Sequence, residues 1–218
     1  MLSIVCDFDG TITMDDMAVA MLTAFAIGDW ERWDDEFAAG RITIEECLVK
    51  EFAHVAASRR ELTEYAVAHA RIRPGFPEFL DFCASSNIAL TVASAGLEFY
   101  IKAILGKAGV KAPELVCGKA RFSSGGLRVS FAHLKNKNSE GYLDLKEQVV
   151  ERLHQEGLEV AYIGDGRPDF PAAQRADLVF ARGRLAELCD RADIKYWPFV
   201  DFHDVMAVIA KTPVVVQP

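Results

Sequence analysis

The stretch SIVCDFDGTIT, Ser3 to Thr13, decides how the whole chain is read. Leu2–Cys6 is short, continuously apolar and rich in β-branched residues, as in a strand covered on both faces of a sheet. Two carboxylates follow at once, Asp7 and Asp9 on either side of Phe8, and then Gly10 and Thr11. A strand that runs through a sheet interior and stops in two acids delivers them to its carboxyl end. In open α/β sheets that edge is where ligands bind. A lone pair of aspartates two residues apart also reads as turn capping. The full run Asp-Phe-Asp-Gly-Thr directly after an N-terminal strand is a much rarer arrangement.

The order of elements supports a parallel sheet. From Asp15 to about Arg71 the pattern is helical, with an apolar face on Met17, Met21, Leu22 and Phe25, and a capping box at Thr43 and Glu46. The segment Arg73–Phe79 (RPGFPEF) punctuates the chain. Beyond it the pattern predicts helix over 78–84, strand over 88–93 and helix over 97–105. Short strands are expected over 115–117, 120–123 and 127–131, with a hairpin turn at SSGG. Helix over 143–154, strand over 160–163, helix over 168–175, strand over 178–180 and helices over 184–189 and 201–209 complete the series. Strand–helix alternation with apolar strands predicts an α/β fold, a Rossmann-like parallel sheet flanked by helices. The expected division is a core of residues 1–14 and 73–218 with an all-helical cap of residues 15–72 inserted after the first strand.

Composition narrows the function. The chain has 218 residues, 51% hydrophobic, with a formal net charge of -8. An acidic balance argues against nucleic acid or an anionic membrane as partner, because both are met with clustered Lys and Arg. Five scattered cysteines without a CxxC pair read as reduced, buried thiols and a cytoplasmic setting. Asp7 and Asp9 interrupt the N-terminus too early for an apolar signal core, and no run of about 18 apolar residues reads as a membrane span. The five histidines share no metal-ligand spacing. Trp30, Trp33 and Phe37 at helical spacing read first as packing within the helical segment.

Three later positions repeat the theme of a polar residue at a strand or helix end. ALTVASAG leads into Ser94, DLKEQVV puts Lys146 in the first turn of a helix opened by Asp144 and Glu147, and VAYIGDGRPD ends in Asp165 with Asp169 four residues on. Taken singly, these read as a helix cap, a surface lysine and turn residues. Taken together, in this order on one sheet edge, they point to a shared site.

That ordered set resembles the four motifs of the haloacid dehalogenase superfamily: Asp7-Phe8-Asp9-Gly10-Thr11, Ser94, Lys146, and Gly164-Asp165 with Asp169. The resemblance spans the core, and the Asp15–Arg71 block is similar to the family's first-position helical cap. It implies a phosphatase that uses Mg²⁺ and acts on a small phosphorylated metabolite. Asp7 would be the nucleophile that forms an aspartyl-phosphate, which splits one difficult displacement into two. Asp9 would be the general acid and then the general base. The metal would be held by Asp7 and Asp165 through their side chains and by Asp9 through its carbonyl, with Asp169 a ligand through water or an orienting group. Ser94, Ala95, Lys146 and the backbone at Phe8 and Gly10 would bind the phosphoryl oxygens. Family members that cleave carbon–halogen bonds lack the second aspartate, so Asp9 favours phosphate esters.

Two groups within the superfamily are alike. DFDGTIT, GDGRPDFPAA, FARGRLAELC and PFVDFHDV resemble the methylthiopentenyl-phosphate phosphatases of methionine salvage, although the cysteine-rich segment found there before the lysine is absent. Phosphoserine phosphatases are the second group. Asp16 stands where their amine-binding carboxylate is found, but Glu51 stands where an ungapped reading puts their carboxylate-binding arginine. Asp16 and Glu51 are therefore the expected specificity residues on the cap side, with Lys50 or Arg41 as substitutes if the alignment slips. An acidic cap also suits phosphocholine or phosphoethanolamine. From other classes, a receiver-like phospho-aspartate domain would have neither the cap nor a use for Asp9, and an idle scaffold of the same fold would have lost a motif.

Overall fold

All five residues of β1 (Leu2–Cys6) are buried. In the computed structural model, which describes residues 1–123, 126–132 and 143–212, β1 pairs in parallel with β2 (Ala89–Leu97) on one side and β5 (Glu159–Gly164) on the other. Its central place explains the unbroken apolar run, since both faces are covered. With β3 (Glu114–Ser123), β4 (Gly126–Ser130), β6 (Leu178–Ala181) and β7 (Trp197–Pro198) it forms a seven-stranded sheet in the order β4-β3-β2-β1-β5-β6-β7. All neighbours are parallel except the β3–β4 hairpin at one edge. The fold is the α/β class expected.

Several boundaries differ from the sequence pattern. β3 is one continuous strand rather than two, because its pairing carries across Gly118 from β2 to β4. β2 runs on through Ser94 to Leu97, and its register against β3 shifts between Ala93 and Leu97. The helix expected over 168–175 is a 3-10 turn, Arg167–Asp169, followed by a short helix. The two-residue β7 gives no periodic signal of its own. The residues of the SSGG turn at 124–125, His133, the Lys135–Gly141 loop and the tail beyond Thr212 lie outside the described residues. Among the described residues no helix is long and apolar enough to cross a membrane.

In chain order β1 is followed by α1 (Met17–Phe25), α2 (Arg32–Ala38), α3 (Ile44–Phe52) and α4 (Arg59–His69), then by α5 (Phe76–Ser85) before β2 and α6 (Glu98–Lys107) after it. α3 starts with the capping box read from Thr43 and Glu46, whose two hydrogen bonds are 3.0 and 3.1 Å long. The connections to this helical insertion run side by side. Thr13 and Ile72 form an antiparallel bridge, and the Asp15 carboxylate pairs with Arg71 at 2.8 Å. The insertion also touches the core directly. The Glu45 carboxylate accepts from the Leu145 amide at 2.9 Å, and Arg167 donates to the Ala38 carbonyl at 2.6 Å.

One buried residue ties these parts together. Arg73, 3% exposed, donates to the carbonyls of Gly10 and Thr11 at 2.6 Å each, and to those of Thr13 and Val200 at 3.3 and 3.2 Å. It fixes the loop that leaves β1 and satisfies carbonyls that no strand or helix can reach. Replacing it takes the guanidinium donor from the buried Thr11 and Thr13 carbonyls at once, while that of Gly10 keeps Arg182. Arg73→Met is expected to lower the unfolding free energy by about 3 kcal/mol in a urea titration; an unchanged midpoint would remove this role from Arg73.

Candidate active site

The carboxyl end of β1 continues its ladder into the site. The Asp7 amide donates to the Ile163 carbonyl of β5 at 2.9 Å, so the Asp7 backbone is still sheet-bound. The chain then turns sharply. Thr13 N–H returns to the Phe8 carbonyl at 2.9 Å, and Gly10 sits at φ +77°. A Cβ at Gly10 would stand 2.4 Å from the Asp165 carboxylate. Glycine is needed there for its conformation and for the close approach of β1's loop to β5's end.

α7 (Leu145–Gln155) begins with the capping pair read from the sequence: Asp144 accepts from the Glu147 amide at 2.8 Å and Glu147 answers at 3.0 Å. This start turns Lys146 inward. The residue is 4% exposed, not a surface lysine, and its Nζ lies 2.7 Å from Asp7 Oδ1 and 2.5 Å from Asp169 Oδ1. Burial alone opposes its charge, but Asp169 and Asp7 outweigh it and hold the ammonium protonated.

Asp169 is fully engaged. Its Oδ1 also accepts from the Tyr162 hydroxyl at 2.6 Å, and its Oδ2 accepts the amides of Asp165 and Gly166 at 3.0 and 2.8 Å. It therefore braces the β5 turn and Lys146. Asp165 accepts from the Thr11 hydroxyl at 2.7 Å. Oxygens of Asp7, Asp165 and Asp169 lie within 4.8 Å of one another. Lys146 pairs with two of these three acids, Asp7 and Asp169. Burial and Asp169 push the Asp7 carboxyl well up against the pull of Lys146, and the same two causes raise Asp165 to about 6. An all-oxygen donor set with surplus negative charge fits a hard divalent cation.

Asp9 faces a different environment. Its Oδ2 accepts from the Tyr100 hydroxyl at 2.5 Å and its Oδ1 from the Met17 amide at 3.1 Å, the first helical residue of the insertion. Burial, then the charge of Asp16, raises its carboxyl to about 8. Gly96 makes room for this pair, since a Cβ there would stand 1.9 Å from the Tyr100 hydroxyl. Ser94 is buried in the irregular part of β2, and its hydroxyl accepts from the Gly96 amide at 2.9 Å.

These groups share one cavity of about 230 Å³. Asp7, Asp9, Ser94, Ala95, Lys146, Asp165 and Asp169 line its sheet side, and Asp16 and Glu51 line its helical side together with Asp34 and Phe37. Phe8 and Gly10 form the turn beneath. Trp30 is buried in the core as expected, whereas Phe37 reaches the cavity. Sequence reasoning missed Arg73, Tyr100, Tyr162, Gly96 and Asp34. Arg73 lay within a segment read only as a break, and the two tyrosines sit in regular elements without a motif.

The family model described as haloacid dehalogenase-like hydrolase matches residues 4–174.

The chain belongs to the haloacid dehalogenase-like hydrolases.

A relative from Geobacillus thermodenitrificans named 2-hydroxy-3-keto-5-methylthiopentenyl-1-phosphate phosphatase is 31% identical over 96% of each chain. One of the same name from Bacillus velezensis is 30% identical over 93% of this chain and 87% of its own. Among solved structures, a substrate-bound phosphoserine phosphatase complex superimposes with a TM-score of 0.70 at 19% identity, covering 95% of this chain and 97% of that one. A probable phosphoserine phosphatase from Vibrio cholerae gives 0.71 at 16% identity over 98% of this chain and 65% of its own. At such identities the structures speak for the shared fold alone.

Within this hydrolase fold Lys146 is the counter-charge for two buried carboxylates. Its removal leaves both uncompensated, which typically costs 3–5 kcal/mol (roughly). Lys146→Met is expected to unfold several degrees lower by calorimetry; an equal melting temperature would show that the acids do not depend on it.

Proposed function

We propose that the chain is a phosphomonoesterase of a small phosphorylated metabolite that works through an aspartyl-phosphate on Asp7, with the methylthiopentenyl phosphate of methionine salvage as its first candidate substrate. The observation that carries this reading is the contrast between the two aspartates of one turn. Asp7 is ion-paired with the Lys146 ammonium at 2.7 Å, whereas Asp9 is held by the Tyr100 hydroxyl and the Met17 amide. A carboxylate paired with a fixed ammonium is placed to act as nucleophile, and one held by neutral donors with its carboxyl raised to about 8 has a proton to give.

In the first half-reaction a carboxylate oxygen of Asp7 attacks phosphorus and the bond to the ester oxygen breaks. The electron pair leaves with that oxygen, which takes the proton of Asp9. Water then attacks the phosphoryl group. Asp9 accepts its proton, the bond to Asp7 breaks, and inorganic phosphate leaves with the Asp7 carboxylate restored. Lys146, Ser94 and the amides of the turn after β1 and of Ala95 bind the phosphoryl oxygens as charge redistributes. Asp7 and Asp165, with the Asp9 carbonyl, would hold Mg²⁺, and Asp169 orients the group. When bound, that ion neutralises charge between the phosphate and its anionic attacker. Residues 15–72 act as a cap over the core of residues 1–14 and 73–218, excluding water while the ester is cleaved.

The names of the relatives support the substrate choice over phosphoserine. So does the helical side of the cavity. Glu51 lines it, while Arg41 pairs with Glu36 at 2.6 Å and the Lys50 ammonium lies 4.2 Å from the centre of the Trp33 ring. No cation among the described residues stands on that side for a substrate carboxylate.

Two measurements check the assigned roles. Asp7→Asn is expected to lose phosphate release by a factor on the order of 10⁴ or more with folding intact; retained turnover would exclude Asp7 as nucleophile. Asp9 must be protonated for the first step, so kcat/KM falls as pH rises past its carboxyl's value near 8. The Tyr100 hydrogen bond favours the ionised form, so Tyr100→Phe moves that basic limb to higher pH. A limb that stays put or moves down would contradict the assignment.

A further inference from the structure

A second cavity, of about 340 Å³, lies in the seam between the helical insertion and the core. Phe37, Ile42 and Ile44 line it from the insertion, and Pro168, Phe170 and Leu188 from the core. All six are half-buried rather than packed away. Apolar side chains that meet around an unfilled space forgo the dispersion contacts of a close-packed interior. Phe37, Ile44 and Pro168 also line the catalytic cavity, so the two spaces adjoin. The polar side chains on the second cavity's walls have partners of their own. Asp144 and Glu147 accept each other's amides at 2.8 and 3.0 Å, and Glu147 also pairs with Arg175 at 2.9 Å. Arg167 donates to the Ala38 carbonyl at 2.6 Å, and the Thr43 hydroxyl accepts from the Glu46 amide at 3.1 Å. A charged group placed in this seam would be desolvated against partners already taken, whereas a hydrocarbon would lose nothing.

Resting on the phosphomonoesterase reading, we propose that this seam cavity is a subsite for an uncharged, apolar far end of the substrate, giving the chain a further activity on phosphate monoesters of simple apolar alcohols. The phosphate stays at Lys146, and the hydrocarbon passes Phe37, Ile44 and Pro168 into the seam. Each methylene that enters leaves water and fills space that the fold leaves empty. Hydrolysis follows the same two half-reactions, with the apolar alcohol as leaving group. Because the walls come from both the insertion and the core, an occupying chain also holds the two together over the reacting phosphate.

The test is a chain-length series. Ethyl, n-butyl and n-hexyl phosphate differ only in methylenes. Binding is measured by calorimetry with Mg²⁺ present, on full-length Asp7→Asn protein so that no ligand is consumed. Affinity is expected to rise about threefold for each added methylene. Two further substitutions locate the gain, one on each wall of the seam and neither lining the catalytic cavity: Ile42→Asn and Leu188→Asn. Each is expected to cut the hexyl-to-ethyl affinity ratio roughly fivefold or more. The ratio is unaffected by the fraction of protein that is folded. Affinity that stays flat from ethyl to hexyl phosphate, or a chain-length gain that both substitutions leave intact, would overturn the subsite. Turnover of p-nitrophenyl phosphate by the unaltered chain is followed separately. If that turnover is absent while the gain and its loss in the variants hold, the phosphatase reading fails and the apolar subsite stands. If turnover is present and the series is flat, the subsite fails and the phosphatase reading stands.

Discussion

The Lys146 ammonium, held between Asp7 and Asp169, is the contact on which the site's architecture depends. It joins three elements that are far apart in sequence: the end of β1, the first turn of α7 and the turn after β5. Without it, two buried acids would face each other across a low-dielectric gap, and both would drift toward their neutral forms. With it, Asp7 has a fixed partner on one oxygen, and Asp169 is free to order the β5 turn through two amides. In the proposed mechanism, the charge that settles the packing also prepares Asp7 to attack an anion.

The second constraint is steric. Gly10 and Gly96 lie where two pieces of backbone must approach a carboxylate, that of Asp165 and that of Asp9 respectively. The first allows the β1 loop to reach Asp165 at the end of β5. The second allows Tyr100 to hold Asp9 away from Lys146, which keeps the two aspartates of one turn chemically distinct. Arg73 then locks the loop from behind through three of its carbonyls and ties it to that of Val200. The chain spends a buried guanidinium and two glycines on a segment of only a few residues, and the functional reading rests on that rigidity.

Much of this was legible in the sequence because strand ends leave local marks. An apolar run stopped by Asp7 and Asp9 has one economical placement in an α/β sheet, and the Asp144–Glu147 cap announces the helix that carries Lys146. Ser94 was found by its order in the chain, although β2 does not end there: its irregular pairing with β3 leaves no signature in the pattern of apolar residues. Tyr100 and Tyr162 were invisible because their role is tertiary. Each looks like an ordinary aromatic of a helix or strand until its hydroxyl is seen against an aspartate. The same holds for Asp34, an exposed acid on a short helix whose meaning comes only from the cavity it borders.

The central claim is that Asp7 carries the phosphoryl group between the two half-reactions. The direct measurement is to quench the chain with acid during turnover of a phosphomonoester, reduce with borohydride, and read the peptide spanning Ser3–Thr13 by mass spectrometry. An acyl phosphate is reduced to the alcohol, whereas a free carboxylate is not. The account predicts reduction at position 7 alone, dependent on substrate. Substrate-dependent reduction at Asp9 or Asp165 instead, or active turnover with none at position 7, would contradict it.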